Sequence, residues 1–212
     1  MAKRTSRRTT QETARSGPSF SQQLEQYLTF DRLIIGGSII ATILIVGVIL
    51  LNSSSTDADP PAIVDPSVPQ NYVRYPNAGG QHIDPDTADS LPANAYNSNP
   101  PTSGPHFPIP ARCRVYDADS SLPDQAYIHS MEHGAVWISY RDLDDQDTIE
   151  KLEDIGRRFS NGVIVSYRPE NDAKIAVAAW QNLLELDEFD EAQIMNFIAL
   201  FRNNGPERVP CT

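Results

Sequence analysis

The stretch "YIHSMEHGAVWISY", residues 127–140, places His129 and His133 four residues apart, with Met131 midway and Glu132 beside the second imidazole. Read as a strand, its side chains alternate faces, so His129, Met131 and His133 share one side. Read as a helix, His129 and His133 still share a face one turn apart, while Met131 moves away. Both readings bring two imidazoles within reach of one ion, and only the strand adds the thioether. Imidazole suits zinc, copper, iron and nickel, whereas a thioether favours copper. The strand, taken first, therefore predicts a copper face.

A third imidazole, His106, ends "PPTSGPH", a loop stiffened by Pro100, Pro101 and Pro105. A rigid loop is a reasonable way to hold a ligand in place. The candidate metal set is thus His106, His129, His133, Met131 and Glu132, with copper ahead of zinc. His82, in "GGQHIDPD", is the fourth histidine and the least constrained by its surroundings. The metalloprotease pattern H-E-x-x-H is not met, because Glu132 precedes the second histidine instead of following the first. A metal-dependent hydrolase would need another geometry. Ser103 and Ser130 lie near histidines, but no G-x-S-x-G elbow and no phosphate-cradling glycine loop is present. No catalytic residue is assigned. The blander alternative is that the imidazoles bond backbone carbonyls and Met131 fills core.

The elements that must position these groups lie beyond an apolar run. Residues 33–51, "LIIGGSIIATILIVGVILL", carry no charge, and as a helix would be ~28 Å long, close to the hydrocarbon thickness of a bilayer. A cleaved signal peptide is the rival, but the run ends without a clear small-residue cleavage site. The 212 residues carry a net charge of −11. Residues 1–32 hold six basic and three acidic groups, giving +3 and leaving −14 for the rest. Basic residues before the span put the N-terminus in the cytoplasm and the remainder outside it. "FSQQLEQYLTFDR" spaces Phe20, Leu24, Tyr27 and Leu28 as a short interfacial helix would. An acidic outer part repels phosphate, which argues against nucleic acid as a partner. The expected organisation is a cytoplasmic lead (1–32), a transmembrane helix (33–51), a Ser/Pro linker (52–70) and an extracytoplasmic domain (71–212).

Cys113 and Cys211 fit that placement. An even pair in an oxidising compartment reads as a disulfide, with a thiolate metal ligand at Cys113 as the alternative. The Pro-, Asn- and Gly-rich segment 71–112 reads as loop. Beyond it the pattern predicts a strand (135–140), a helix carrying Ile149, Leu152, Ile155 and Phe159 and capped by Asp145 or Asp147, and a strand over 162–168. A strand over 174–181 follows, hairpin-paired to the previous one through "RPEND". A helix capped by Asp190 closes the chain. Strand-helix-strand-strand-helix is a small α+β domain. The same order closes a thioredoxin-type fold, offered for shape alone because no C-x-x-C is present.

"YNSNPPTSGPH" (96–106), "HSMEHGAVWISYR" (129–141) and "VAAWQNLLELDEFDEAQIMNFIALFRNNGPE" (177–207) together resemble the bacterial and archaeal domain-of-unknown-function family numbered 3105. The resemblance implies a membrane-anchored layout with a small outward-facing domain, and no established activity. It groups His106, His129, Glu132 and His133 as motif positions, with leucine common where Met131 stands here. The expected function is a membrane-anchored domain binding copper or zinc. The alternatives are an interaction module or accessory subunit of a larger membrane complex, and a metal-dependent hydrolase.

Overall fold

Val136–Tyr140 (β2) is buried at every position. Such a strand needs cover on both faces and a hydrogen-bonded neighbour along each edge. In the computed structural model, which describes residues 59–60 and 63–211, β2 has all four. Val163–Tyr167 (β3) pairs with it in parallel and Ile175–Ala179 (β4) antiparallel. Asn182–Leu186 (β5) extends the sheet beyond β4, and the two-residue edge strand Val73–Arg74 (β1) pairs with β5. The sheet is five-stranded and mixed, in the order β1-β5-β4-β2-β3.

Among the described residues three α-helices cover it. Asp124–Glu132 (α1) lies against the face bearing Trp137, Ile164, Ala176 and Ala178. Gln146–Arg157 (α2) and Glu191–Phe201 (α3) pack on the opposite face, among Val136, Ile138, Val165 and Val177. The helix starts follow capping chemistry: Asp145 accepts from Thr148 N and Asp190 from Gln193 N, each satisfying an otherwise orphaned first-turn donor. The result is the expected α+β class.

The hairpin expected between β3 and β4 does not form. β2 lies between them, and the "RPEND" connection crosses its end, with Arg168 N donating to Tyr140 O and Arg141 N to Lys174 O. An apolar central strand is better satisfied by two neighbours than a short turn is by direct closure. The hairpin joins β4 to β5 instead, through Trp180 and Gln181. Gln181 adopts φ of 65°, an uncommon value for a residue other than glycine, so its sequence carries no turn signal.

The "HSMEH" strand is also corrected: His129–Glu132 closes α1 and His133 caps it. Every residue from Ala126 to Glu132 is buried, the polar ones included, so burial does not divide this helix into a wet and a dry face. Met131 faces the core with Tyr127, Ile128 and Trp137 and does not join the imidazoles.

Cys113 and Cys211 are disulfide-bonded, so the thiolate-ligand alternative at Cys113 falls. The end of the expected linker is fastened down, with Asp65 N donating to Asn196 Oδ1 and Asn196 Nδ2 to Asp65 O. Among the described residues no helix is long and apolar enough to cross a membrane. The basic lead, its interfacial segment and the apolar run 33–51 lie outside those residues.

Candidate metal centre

Helical spacing puts His129, Glu132 and His133 on one side of α1, at i, i+3 and i+4. The helix stops where Gly134, at φ of 90°, lets its N–H reach Met131 O. The chain can then turn directly into β2, leaving these three side chains at the helix end.

The proline-rich loop comes to meet them. Gln81 O accepts from His106 N and His106 O accepts from Ile83 N, so residues 81–83 and 106 form a short parallel bridge. That bridge sets the His82 and His106 rings side by side, with centroids 5.0 Å apart. Elsewhere the loop is held by Gln181 N donating to Thr102 O, Ala78 N to Ser103 Oγ, and Tyr96 Oη to Pro105 O. Gly104 sits at φ of 126° against the Tyr96 ring, where a Cβ would lie 2.8 Å from the ring edge.

Four donor groups converge: His82, His106, His129 and Glu132 each offer an atom, all within 4.8 Å of one another. His106, His129 and Glu132 are buried, and His82 is exposed. The tautomers follow from the partners. His106 Nδ1 lies 2.9 Å from Gly104 O and His129 Nδ1 2.6 Å from Phe107 O. A carbonyl can only accept, so both Nδ1 atoms carry hydrogen and both Nε2 atoms present lone pairs when the rings are neutral. Holding the far nitrogen on a carbonyl is how protein metal sites fix an imidazole.

His106 Nε2 is the decisive atom. It is fully buried, has no hydrogen bond of acceptable geometry, and lies 3.1 Å from Glu132 Oε2. With Nδ1 protonated and Glu132 ionised, an acceptor faces an acceptor, and the pair needs a proton or a metal ion between them. Burial keeps the imidazoles from carrying that proton. It pushes both His106 and His129 below the usual imidazole range, and it pushes Glu132 above the usual carboxylate range, with the Glu207 charge adding to the rise. Desolvation favours the neutral form of each group, so without an ion the proton rests on the Glu132 carboxyl facing His106 Nε2, and a divalent ion would displace it.

Of the residues expected to bind metal, His106, His129 and Glu132 converge and Met131 is turned away. His133 stands beside the cluster, its Nε2 3.2 Å from His129 Nε2 and 3.3 Å from Glu207 Oε2. His82 and Glu207 were not expected. The bridge to His106 that places His82 is a tertiary contact, and Glu207 arrives on the C-terminal segment. The two glycines before His82 were the available signal: a Cβ on Gly80 would lie 2.6 Å from Glu132 Oε1, so that backbone must come close to the carboxylate. Ser130 Oγ donates to Ala111 O and Ser103 Oγ accepts from a backbone N–H, so neither hydroxyl is set against a histidine base.

Fold and site together define an α+β domain with a His/Glu cluster that could hold a metal ion. The family described as "Protein of unknown function (DUF3105)" matches residues 90–212, and the chain belongs to that family. His82 lies outside the matched residues. No curated protein and no solved structure matches the chain.

Proposed function

We propose that the chain is a membrane-anchored, extracytoplasmic protein whose domain binds one divalent transition-metal ion through His82, His106, His129 and Glu132. The carrying observation is the buried, unpartnered His106 Nε2 aimed at the Glu132 carboxylate. A tetrahedral ion with bonds of about 2.0–2.1 Å has donor atoms ~3.4 Å apart, so a cluster within 4.8 Å needs only a small contraction. The preference for copper rested on a thioether; with Met131 in the core, three imidazoles and a carboxylate suit zinc at least as well. The apolar run 33–51 and the Cys113–Cys211 disulfide both support the anchored, extracytoplasmic placement. Docking on a larger membrane complex is compatible with it. The strand order β3-β2-β4-β5, with α2 joining the parallel pair and α3 last, supports a thioredoxin-like outline as a description of shape.

The test is titration of the full chain in detergent micelles with zinc and with copper, read by equilibrium dialysis. One ion per chain is expected, retained against competing magnesium. Equal, negligible uptake by the wild type and by His129→Ala removes the proposal and leaves a buried polar cluster in an interaction module.

Gly80→Ala gives a finer check. Its Cβ would displace the end of the Glu132 side chain and leave the backbone in place. Metal affinity is expected to fall by about tenfold, the scale of a disturbed ligand shell, with no change in the urea midpoint of the metal-free protein. Unchanged affinity would mean that Glu132 is not a ligand.

A further inference from the structure

Donor atoms continue outward from the cluster. From the buried centre, His106 has no exposure and His129 is 5% exposed. The His133 side chain is 13% exposed and that of Glu207 52%. Glu207 and His133 line an open cleft of about 590 Å³ with Asn161, Asn203 and Asn204. Successive donors along this line are close: Glu207 Oε2 to His133 Nε2 is 3.3 Å, and His133 Nε2 to His129 Nε2 is 3.2 Å. Both separations match the ~3.4 Å between two ligands of one tetrahedral ion. As it stands His133 Nε2 lies at hydrogen-bond distance from His129 Nε2 and at ion-pair distance from Glu207 Oε2, and an ion would take the place of the hydrogen between each pair.

The outer pair is held in place deliberately. The segment after α3 docks on the end of α1: Asn203 N donates to Gly134 O, and Glu207 N donates to Glu132 O. Gly205 lies so close to that end that a Cβ would stand 2.3 Å from Glu132 O and 2.4 Å from Gly134 N. The residue that carries an inner ligand thus also registers the segment carrying Glu207.

We infer that His133 and Glu207 form a loading site for a divalent transition-metal ion, which passes it through His129 to the buried centre. This rests on the metal reading above. A bare divalent ion cannot enter a buried site without a large desolvation cost. Stepwise exchange avoids it. Glu207 and His133 take the ion from its waters in the cleft. His129 Nε2 then bonds before Glu207 lets go, and His82, His106 and Glu132 complete the shell as His133 is released. No electron moves, and the displaced waters stay in the cleft.

The experiment is stopped-flow transfer of zinc from a chromophoric chelator to the full chain in micelles, with the equilibrium affinity measured on the same samples. A loading site speeds uptake and release together. His133→Gln and Glu207→Gln are therefore each expected to slow both rates by about tenfold, the effect of a barrier raised by one exchange step, with affinity unchanged. Glu207→Gln alters an exposed side chain, so its folding is not in question. Wild-type rates in both variants would overturn the inference and send the ion past the exposed His82 instead. Lost affinity with faster release would also overturn it, by making His133 a ligand of the final centre. A wild type that takes up no zinc would remove the metal reading itself.

Discussion

Replacing His106 with alanine is expected to weaken the affinity of the chain for zinc or copper by about a hundredfold or more. Structural zinc sites bind with apparent free energies of about 10–16 kcal/mol spread over four ligands, so one ligand accounts for ~3 kcal/mol or a factor near a hundred. His106 should be costlier than His82, because its ring is locked by the Gly104 carbonyl and held without exposure. His82 is exposed and must be ordered when the ion binds. The comparison of interest is metal-induced stabilisation, since a ligand that binds only the folded state raises stability by RT ln(1 + [L]/Kd). Saturating zinc should raise the wild-type unfolding midpoint and raise that of His106→Ala by less, the two stabilisations differing by about 2.7 kcal/mol for a hundredfold loss of affinity. His106→Gln, which keeps a donor for Gly104 O and most of the volume, separates lost metal from lost packing. Equal midpoint rises in all three proteins would show that the ion, if one binds, sits elsewhere.

The second large effect concerns the disulfide. Cys113 and Cys211 are 98 residues apart in sequence, so the bond closes nearly two-thirds of the described domain into one loop. Chain-entropy reasoning gives about 4.7 kcal/mol for a loop near 100 residues, and measured values are more often 2–4 kcal/mol. Changing both cysteines to serine is expected to lower unfolding stability by about 2–4 kcal/mol, read from the urea midpoint followed by tryptophan fluorescence. Serine in place of both also leaves no lone thiol to form mixed disulfides. A loss below about 0.5 kcal/mol would mean that the C-terminal segment is held by its backbone contacts to α1 alone. The same variant should also slow metal loading, because Cys211 anchors the segment that presents Glu207 to His133.

Much of this domain could be read along the chain. Val163–Tyr167 and Ile175–Ala179 announce themselves as apolar, β-branched runs, and α2 and α3 by apolar spacing behind an aspartate cap. These signals lie within a few residues of what they specify. β5 was missed because the Trp180–Gln181 turn lacks glycine or asparagine, and its left-handed Gln181 is held by tertiary bonds to Thr102 and Tyr75. The strand reading of α1 fails because the helix is nine residues long and its polar face, His129 and Glu132, is buried in the cluster instead of facing water.

The site divides the same way. By itself the sequence determined that His129 and His133 share a face, that a braced loop carries His106, and that two cysteines would pair. Only the tertiary structure decided that Met131 belongs to the core and that His82 crosses to His106 through a backbone bridge. It also brought in Glu207, from a segment laid along the end of α1. The reason is physical. Periodicity and capping act between neighbours in sequence, whereas donor atoms from three loops and a helix come together through hydrogen bonds that link distant parts of the chain.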